Sequence, residues 1–559
     1  MNAKRVSLAD IARRAGVQRP AASNWKRRHH DFPDPLEGTS GELFDAAEVA
    51  AWLDCRRIPV NALRPGERPG TTFGDRFRGA AGTAVAEQEA RKPPVTERAD
   101  AAARIWKVFD GVRGFADLGD FTESVLALVC CRAVDPRGFE WFRDAVRSVP
   151  PSGAGDLFLS AWAGVSRRTA MRLDDPPVLR DVGGGKALAA VAEILYDMEP
   201  PAEDDRGNPW WGPSEMAGVY EAVLGRIAVL EGHRGGEFHT PRSVVRTMVE
   251  MVDPAVGERV HDPCCGTGGM LAGVIRHARG NAPPTAPPPD VSGASLTERG
   301  RRLAAMNLLV HGVRADVRSD ALAEVGARPE GRRFDAIVTN PPFTLTLAPA
   351  DLGGLHWRYG EPPARNVSFA WLQSVLAMLS DRGRAALVTA NGATFSRHRS
   401  EHMIRAAMIE DGVVDCVVAL PPRLFASTGI PVSLWILRKD GAGNGRILLI
   451  DAGELGDKRS RAVRTLTDDD VGKISGTYRA WREGRFRDEP GFARGVGLDE
   501  LRARGHSLSP PTYMTSTAVE ADMNAAKGDV ERLRADLARL HVRLADLDEA
   551  VDRLLGGGR

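Results

Sequence analysis

The sequence predicts an α/β sandwich, a sheet covered by helices on both faces, for the stretch from Glu237 to about Ile450 of a 559-residue chain. Two observations carry that expectation. Short apolar runs rich in β-branched residues recur at 259–262, 315–318, 335–339, 384–389, 413–420, 432–437 and 446–450; their continuous apolar character is that of strands buried on both sides. Helical stretches, 241–251 and 369–379 among them, lie between the runs, the alternation a doubly covered sheet requires. One segment breaks the pattern. Asn281 to Asp290 contains APPTAPPP, and proline lacks the backbone N–H and restricts its predecessor, so this segment is expected to loop out at the surface.

A chain of this length is too long for one core and is expected to form several domains. Its net charge is only +1, but nucleic acid responds to the charge on the face it meets. Residues 1–30 carry eight Lys or Arg against one acid, Asp10. In the same region Ser7 and Asp10 have the spacing of a helix cap, and Leu8, Ile11 and Ala12 give that helix an apolar side. After a turn at Ala15-Gly16-Val17, a second helix over 18–28 carries Arg19, Ser23, Asn24, Lys26 and Arg27. This is helix-turn-helix spacing, in which the first helix braces the second for contact with base edges and phosphates; the bland alternative is a solvated packing module. A further helical run is expected over 42–53, closing the unit near residue 58.

Domain boundaries follow from composition: 1–60 for the helix-turn-helix unit, 61–98 for a linker rich in Pro, Gly, Ala and charge, and 99–230 for a mostly helical domain. The sandwich over 231–450 is followed by an extension over 451–515 and a long helix over 516–559. That tail places Val519, Met523, Ala526, Val530, Leu533, Leu537, Leu540, Leu544, Leu547, Val551 and Leu554 alternately four and three residues apart. Such a heptad seam needs a partner to cover it, either another subunit or a helix elsewhere in the chain. Six cysteines, four of them in adjacent pairs, form neither a disulfide framework nor a CxxC metal spacing, which implies a reducing compartment. No export signal or stretch of about 20 apolar residues is present, so a cytoplasmic protein is expected.

Two segments carry chemistry. His261-Asp262-Pro263-Cys264-Cys265-Gly266-Thr267-Gly268-Gly269 puts a tight glycine turn between a strand and a helix. There the backbone can approach a ligand closely and the helix N-terminus presents N–H groups, which by itself indicates a small anionic or nucleoside ligand. Asn340-Pro341-Pro342-Phe343 follows a buried strand at its carboxyl end, where open α/β sheets place their sites. The Asn340 amide and a neighbouring carbonyl can both accept from an exocyclic amine, the prolines stiffen the loop, and Phe343 can stack on a flat base.

With those motifs in place, residues 232–515 resemble the modification subunit of type I restriction-modification systems, a family of N-6 adenine DNA methylases. The matching stretches are GEFHTPRSVVRTMV from Gly236, DPCCGTGGML from Asp262, NPPF from Asn340 and LPPRLFASTGIPVSLWIL from Leu420. The resemblance implies a Rossmann-like methyltransferase sheet using S-adenosylmethionine as cofactor. Phe238, Thr240, Pro241, Asp262, Cys264, Gly266, Gly268, Gly269 and Asp320 would line the cofactor pocket, with Asp320 near the adenine moiety. Asn340, Pro341, Pro342 and Phe343 would hold a target adenine flipped out of double-stranded DNA, because its N6 cannot be reached inside the duplex. No metal is implied. The implied partners are a DNA specificity subunit, most naturally on the heptad helix, and a restriction subunit in a hetero-oligomer. One departure concerns the ribose contact: Ser295 stands where the family carries an acid, which implies either that Glu298, one helical turn on, substitutes for it or that cofactor binding is weakened. The competing reading is a DNA-binding regulatory or scaffold protein on a degenerate methyltransferase domain, which the intact NPPF opposes.

Overall fold

The computed structural model describes residues 5–15, 17, 25–26, 29, 31–35, 43–58, 71–78, 97–112, 118–171, 173–177, 181–198, 215–231, 240–283, 286–326, 333–343, 345–347, 352, 355–425, 429–441, 445–457, 464–514 and 532–540. They divide into two compact units, Met1–Glu97 and Arg98–Arg559.

In the first unit the cap read from the sequence is made reciprocally. The Asp10 N–H donates to Ser7 Oγ at 3.2 Å and the Ser7 N–H to the Asp10 carboxylate at 3.1 Å, at the start of the helix Leu8–Ala15. The helical run expected from residue 42 begins only at Ala46. Leu43–Asp45 instead pairs antiparallel with Arg5–Ser7, which buries Phe44 completely, and Asp45 caps the helix Ala46–Asp54 by accepting from the N–H groups of Ala47 and Glu48. The core of this unit, which includes Ile11, Phe44, Val49 and Leu53, also takes in Phe77 and packs Phe73 against it, within a stretch expected as linker. Trp25 and Lys26 are helical; Trp25 packs on Trp52 and Phe73, and the Lys26 ammonium lies 5.9 Å from the Phe44 ring centre. Arg19, Ser23, Asn24 and Arg27 lie outside the described residues.

The second unit begins with helices α1 (Glu97–Val112), α2 (Leu118–Val134), α3 (Pro136–Val146), α4 (Ala154–Thr169), α5 (Val182–Tyr196) and α6 (Glu215–Glu231). There follow α7 (Arg242–Val252), β1 (Arg259–Asp262), α8 (Gly269–Gly280), β2 (Asp290–Ala294), α9 (Glu298–Val310), β3 (Asp316–Arg318) and β4 (Phe334–Thr339). The chain continues through α10 (Ser368–Met378), β5 (Leu379–Ala390), α11 (Arg399–Glu410), β6 (Val414–Ala419), β7 (Val432–Arg438), β8 (Arg446–Asp451), α12 (Asp468–Arg482) and β9 (Ala493–Gly497). The nine strands form one sheet in the order β3-β2-β1-β4-β5-β7-β6-β8-β9. Neighbours from β3 to β5 run parallel, β7 is antiparallel to β5 and β6, and β9 is antiparallel to β8. The fold is thus α/β with a mixed sheet and flanking helices.

Period-two alternation sorts the strand side chains into two cores. Ala336, Val338, Ala386, Val388, Leu434 and Ile436 face α7, α8 and α12, while Ile337, Ala385, Leu387, Trp435 and Leu437 face α10 and α11. The continuous apolar runs of the sequence follow from this burial on both sides. Strand β9 carries no such signal, because Ala-Arg-Gly-Val-Gly has two glycines and low β propensity; it pairs only at the sheet's edge.

Helix α9 is buried on opposite faces. Ala304 and Leu308 belong to the sheet core, whereas Leu303, Met306, Leu309 and Val310 share a core with Phe121, Val125 and Leu128 of the leading helices. The Tyr220 hydroxyl donates to the Leu303 carbonyl at 2.9 Å, and Arg302 pairs with Glu123 at 3.1 Å. Of the heptad tail, 532–540 is described and helical, with Leu533, Leu537 and Leu540 exposed by 65%, 58% and 64%. Among the described residues no helix is long and apolar enough to cross a membrane.

Candidate active site

Strand β1 sits between β2 and β4, so the winding of the sheet reverses there. A crevice opens at such a point beyond the carboxyl ends of the strands. Both chemistry-bearing segments leave the sheet at this crevice, 263–268 after β1 and 340–343 after β4.

The glycine turn is held on three sides. Gly266 and Gly268 have φ of +50° and +77°, a region that side-chain-bearing residues enter at a cost. A β-carbon on Gly268 would stand 3.1 Å from the Ala304 Cα, whereas one on Gly269, the first residue of α8, would meet nothing within 4 Å. The Cys265 N–H donates to the Ala294 carbonyl at 2.8 Å, tying the turn to β2, and the Asn307 amide donates to the Thr267 carbonyl at 2.9 Å, tying it to α9. Beneath the turn Asp262 is buried and accepts the Cys264 N–H at 3.0 Å. Burial pushes its carboxyl up to about 7, against the pull of the Thr339 hydroxyl and that N–H.

The next edge of the crevice brings Ser295, Glu298 and Asp320 together. The Ser295 N–H donates to the Arg318 carbonyl at 2.7 Å and its own carbonyl accepts from Ala321 at 3.2 Å, so the Ser295 backbone fastens β2 to the turn after β3. Its buried hydroxyl is the acceptor for the Thr297 N–H at 3.4 Å. Glu298, in the first turn of α9, takes the Ser319 hydroxyl on one oxygen and Arg301 on the other. Its exposed carboxylate therefore rests against the turn that carries the half-exposed Asp320, which lies 3.7 Å from Arg318.

Asn340 is only 8% exposed. Its amide nitrogen donates to the Thr240 hydroxyl at 2.9 Å, which joins the 340–343 loop to the entry of α7 beside Pro241 and orients the side chain. Its Oδ1 has no hydrogen-bond partner among the described residues. A buried acceptor left unpaired costs about 1–3 kcal/mol, and at the mouth of a crevice such an atom is a ready site for an amine donor. Pro341 is buried, Pro342 and Phe343 half-buried. The Phe343 ring meets Phe425 edge-to-face at 6.3 Å. Phe238 lies outside the described residues.

In the sequence Phe425 is visible only as part of LPPRLF, without a role; the fold makes it a brace for Phe343. A second group leaves no sequence signal. His261 Nδ1 lies 2.9 Å from Ser292 Oγ and its Nε2 2.8 Å from Glu324, with the ring stacked on Phe334 at 4.2 Å. These buried contacts bind the strand that bears Asp262 to the short 3-10 helix Ala321–Glu324 after Asp320, across 63 residues of sequence.

The N-6 DNA Methylase family profile matches residues 213–522. The chain is 33% identical over 357 residues to the type I restriction enzyme HindI methylase subunit of Haemophilus influenzae, covering 62% of this chain and 79% of that one. It is 32% identical over 341 residues to the MjaIX methylase subunit of Methanocaldococcus jannaschii, covering 58% of each. Among solved structures, the type I restriction-modification methyltransferase subunit from Streptococcus thermophilus superposes with a TM-score of 0.58 at 21% identity, over 74% of this chain and 99% of the other; that likeness is one of fold.

Proposed function

This chain belongs to the N-6 DNA methylase family, and from that premise we propose that it is the modification subunit of a type I-like restriction-modification system, transferring a methyl group from S-adenosylmethionine to the N6 of an adenine flipped out of duplex DNA. The observation that carries the reading is the buried, unpaired Oδ1 of Asn340 beside a glycine turn at the switch point of the sheet.

The residues fit the cofactor. Gly266 and Gly268 keep the turn free of β-carbons where the backbone must approach a ligand, and the start of α8 supplies N–H groups. The cofactor would be held by Asp262, Cys264, Gly266, Gly268 and Gly269, with Thr240 and Pro241 on one side and Asp320 on the other. Glu298 serves the ribose edge in place of the family's acid; loss of cofactor affinity in Glu298→Ala, read by calorimetry, is the check. S-adenosylmethionine supplies a methyl group already activated by a positively charged sulfur. The protein's task is positioning. Asn340 Oδ1 and the Pro341 carbonyl accept the two amine hydrogens, which leaves the nitrogen lone pair free, and Phe343, braced by Phe425, stacks on the base. Placing one acceptor accurately is worth about 10²- to 10³-fold in rate. Asn340→Ala is therefore expected to lose at least that much labelled-methyl transfer in the partner-complemented enzyme while keeping its cofactor affinity; full activity would refute the assignment.

Two finer readings belong to the same proposal. The basic first unit contacts DNA through Arg19, Ser23, Asn24, Lys26 and Arg27, which salt-titrated binding of Arg19→Ala and Arg27→Ala tests. The heptad helix docks on a DNA specificity subunit, and a restriction subunit joins the same assembly. The support for docking is the exposed row of Leu533, Leu537 and Leu540.

A further inference from the structure

Resting on that reading, we infer that the turn Phe395–Arg399 is this subunit's own grip on target DNA beside the flipped base, with Arg397 and Arg399 on phosphates and Phe395 stacking on an unpaired base. The turn lies on the catalytic rim. Thr339 is in register with Leu387, so Asn340 is level with Val388, and Asn391 stands three residues, about 10 Å, further out along β5. There the Asn391 N–H donates to the Pro431 carbonyl at 2.9 Å and the Asn391 Oδ1 accepts from Ser433, anchoring a 3-10 turn, Asn391–Thr394, that delivers Phe395. From the other side, the chain just past the catalytic loop returns to the same place: the Leu347 N–H donates to the Ala364 carbonyl at 3.1 Å, and Asn366 donates to Glu401, in the first turn of α11, at 2.9 Å.

What this rim presents is unusual for solvent. Phe395 is 49% exposed and is followed by the exposed Arg397, His398 and Arg399. Arg397 and Arg399, and the exposed Arg365 one residue before Asn366, have no acidic partner among the described residues. The acid closest in sequence, Glu401, is buried and occupied by Asn366, and Glu361 is the exposed acid of the neighbouring loop. Elsewhere among the described residues of this unit, arginines such as Arg302, Arg384 and Arg502 are paired with acids. Unpaired cations around an exposed ring suit a nucleic-acid backbone with an accessible base. Extruding a base also leaves a gap in the stack that an apolar side chain can fill.

The test uses the full chain and fluorescein-labelled 30-bp duplexes, one fully paired and one with a single unpaired adenine, in salt-titrated anisotropy. Arg397→Gln with Arg399→Gln is expected to lower the log–log salt slope by about two, since each phosphate neutralised by a cation adds roughly 0.9 to that slope. Phe395→Ala is expected to weaken binding of the unpaired-adenine duplex about ten-fold or more, with Phe395→Trp restoring it and the paired duplex little affected. An unchanged slope in the double variant, an unchanged affinity in Phe395→Ala, or failure of Phe395→Trp to rescue overturns the inference, as does a wild-type chain that binds neither duplex. Melting curves on each variant separate a weakened grip from a damaged fold. If the slope and affinity change as expected while wild-type enzyme methylates no adenine, the grip stands and the methylation reading falls.

Discussion

Gly268→Ala perturbs the crevice at the switch point of the sheet through a single methyl group. The residue holds φ at +77°, and placing an L side chain in that region costs about 1–2 kcal/mol. The added carbon would also lie 3.1 Å from the Cα and 3.2 Å from the Cβ of Ala304, backbone of a helix buried on two faces that cannot yield, and overpacking of this kind costs about 1–3 kcal/mol. Lower entropy of the unfolded chain returns about 1 kcal/mol, leaving a net loss of about 1–4 kcal/mol. Because the clash pushes the turn away from α9, cofactor affinity is expected to fall at least ten-fold. Gly269→Ala is the internal control for stability: its β-carbon meets nothing within 4 Å, and alanine in a helix is favoured over glycine by about 1 kcal/mol. Urea unfolding followed by circular dichroism, with calorimetry for the cofactor, compares the two. Equal unfolding midpoints in the two variants, or wild-type cofactor affinity in Gly268→Ala, would refute the argument that this turn is set by the close approach of α9.

Three further outcomes are expected. Burial raises the Asp262 carboxyl from 3.8 to about 7, so its favourable contribution is full below about pH 4 and is lost as pH rises towards 7, on the order of 4 kcal/mol; melting temperatures of the cofactor-free protein should fall relative to those of Asp262→Asn as pH rises over that window, and a constant difference contradicts this. Arg302→Met leaves Glu123, 2% exposed, without its partner and should cost about 3–5 kcal/mol, most of it recovered by adding Glu123→Leu; thermal melts of the single and double variants decide. Leu537→Lys with Leu544→Lys should abolish co-purification with a specificity subunit at unchanged melting temperature, and the opposite pattern would assign the tail helix to this chain's own core.

The sequence by itself determined the chemistry-bearing segments and the fold class, because both are local. Continuous apolar runs of strand length, the cap at Ser7 and Asp10, the glycine turn and the NPPF loop are each written within about ten consecutive residues, and backbone geometry ties such patterns to a small set of structures. Tertiary structure decided what depends on residues far apart. Only the paired strands show that Leu43–Asp45 belongs to a ribbon rather than a helix, since its partner Arg5–Ser7 lies 38 residues earlier in register. Strand β9, with its glycines, acquires its conformation from the β8 edge it covers. The same holds in the crevice: the Asn340 amide is turned by Thr240, 100 residues away, and His261 meets Glu324 through the neighbouring strands. Burial created these pairings and made Asp262 hard to ionise, because the cost of a buried polar group depends on every neighbour the fold gathers around it.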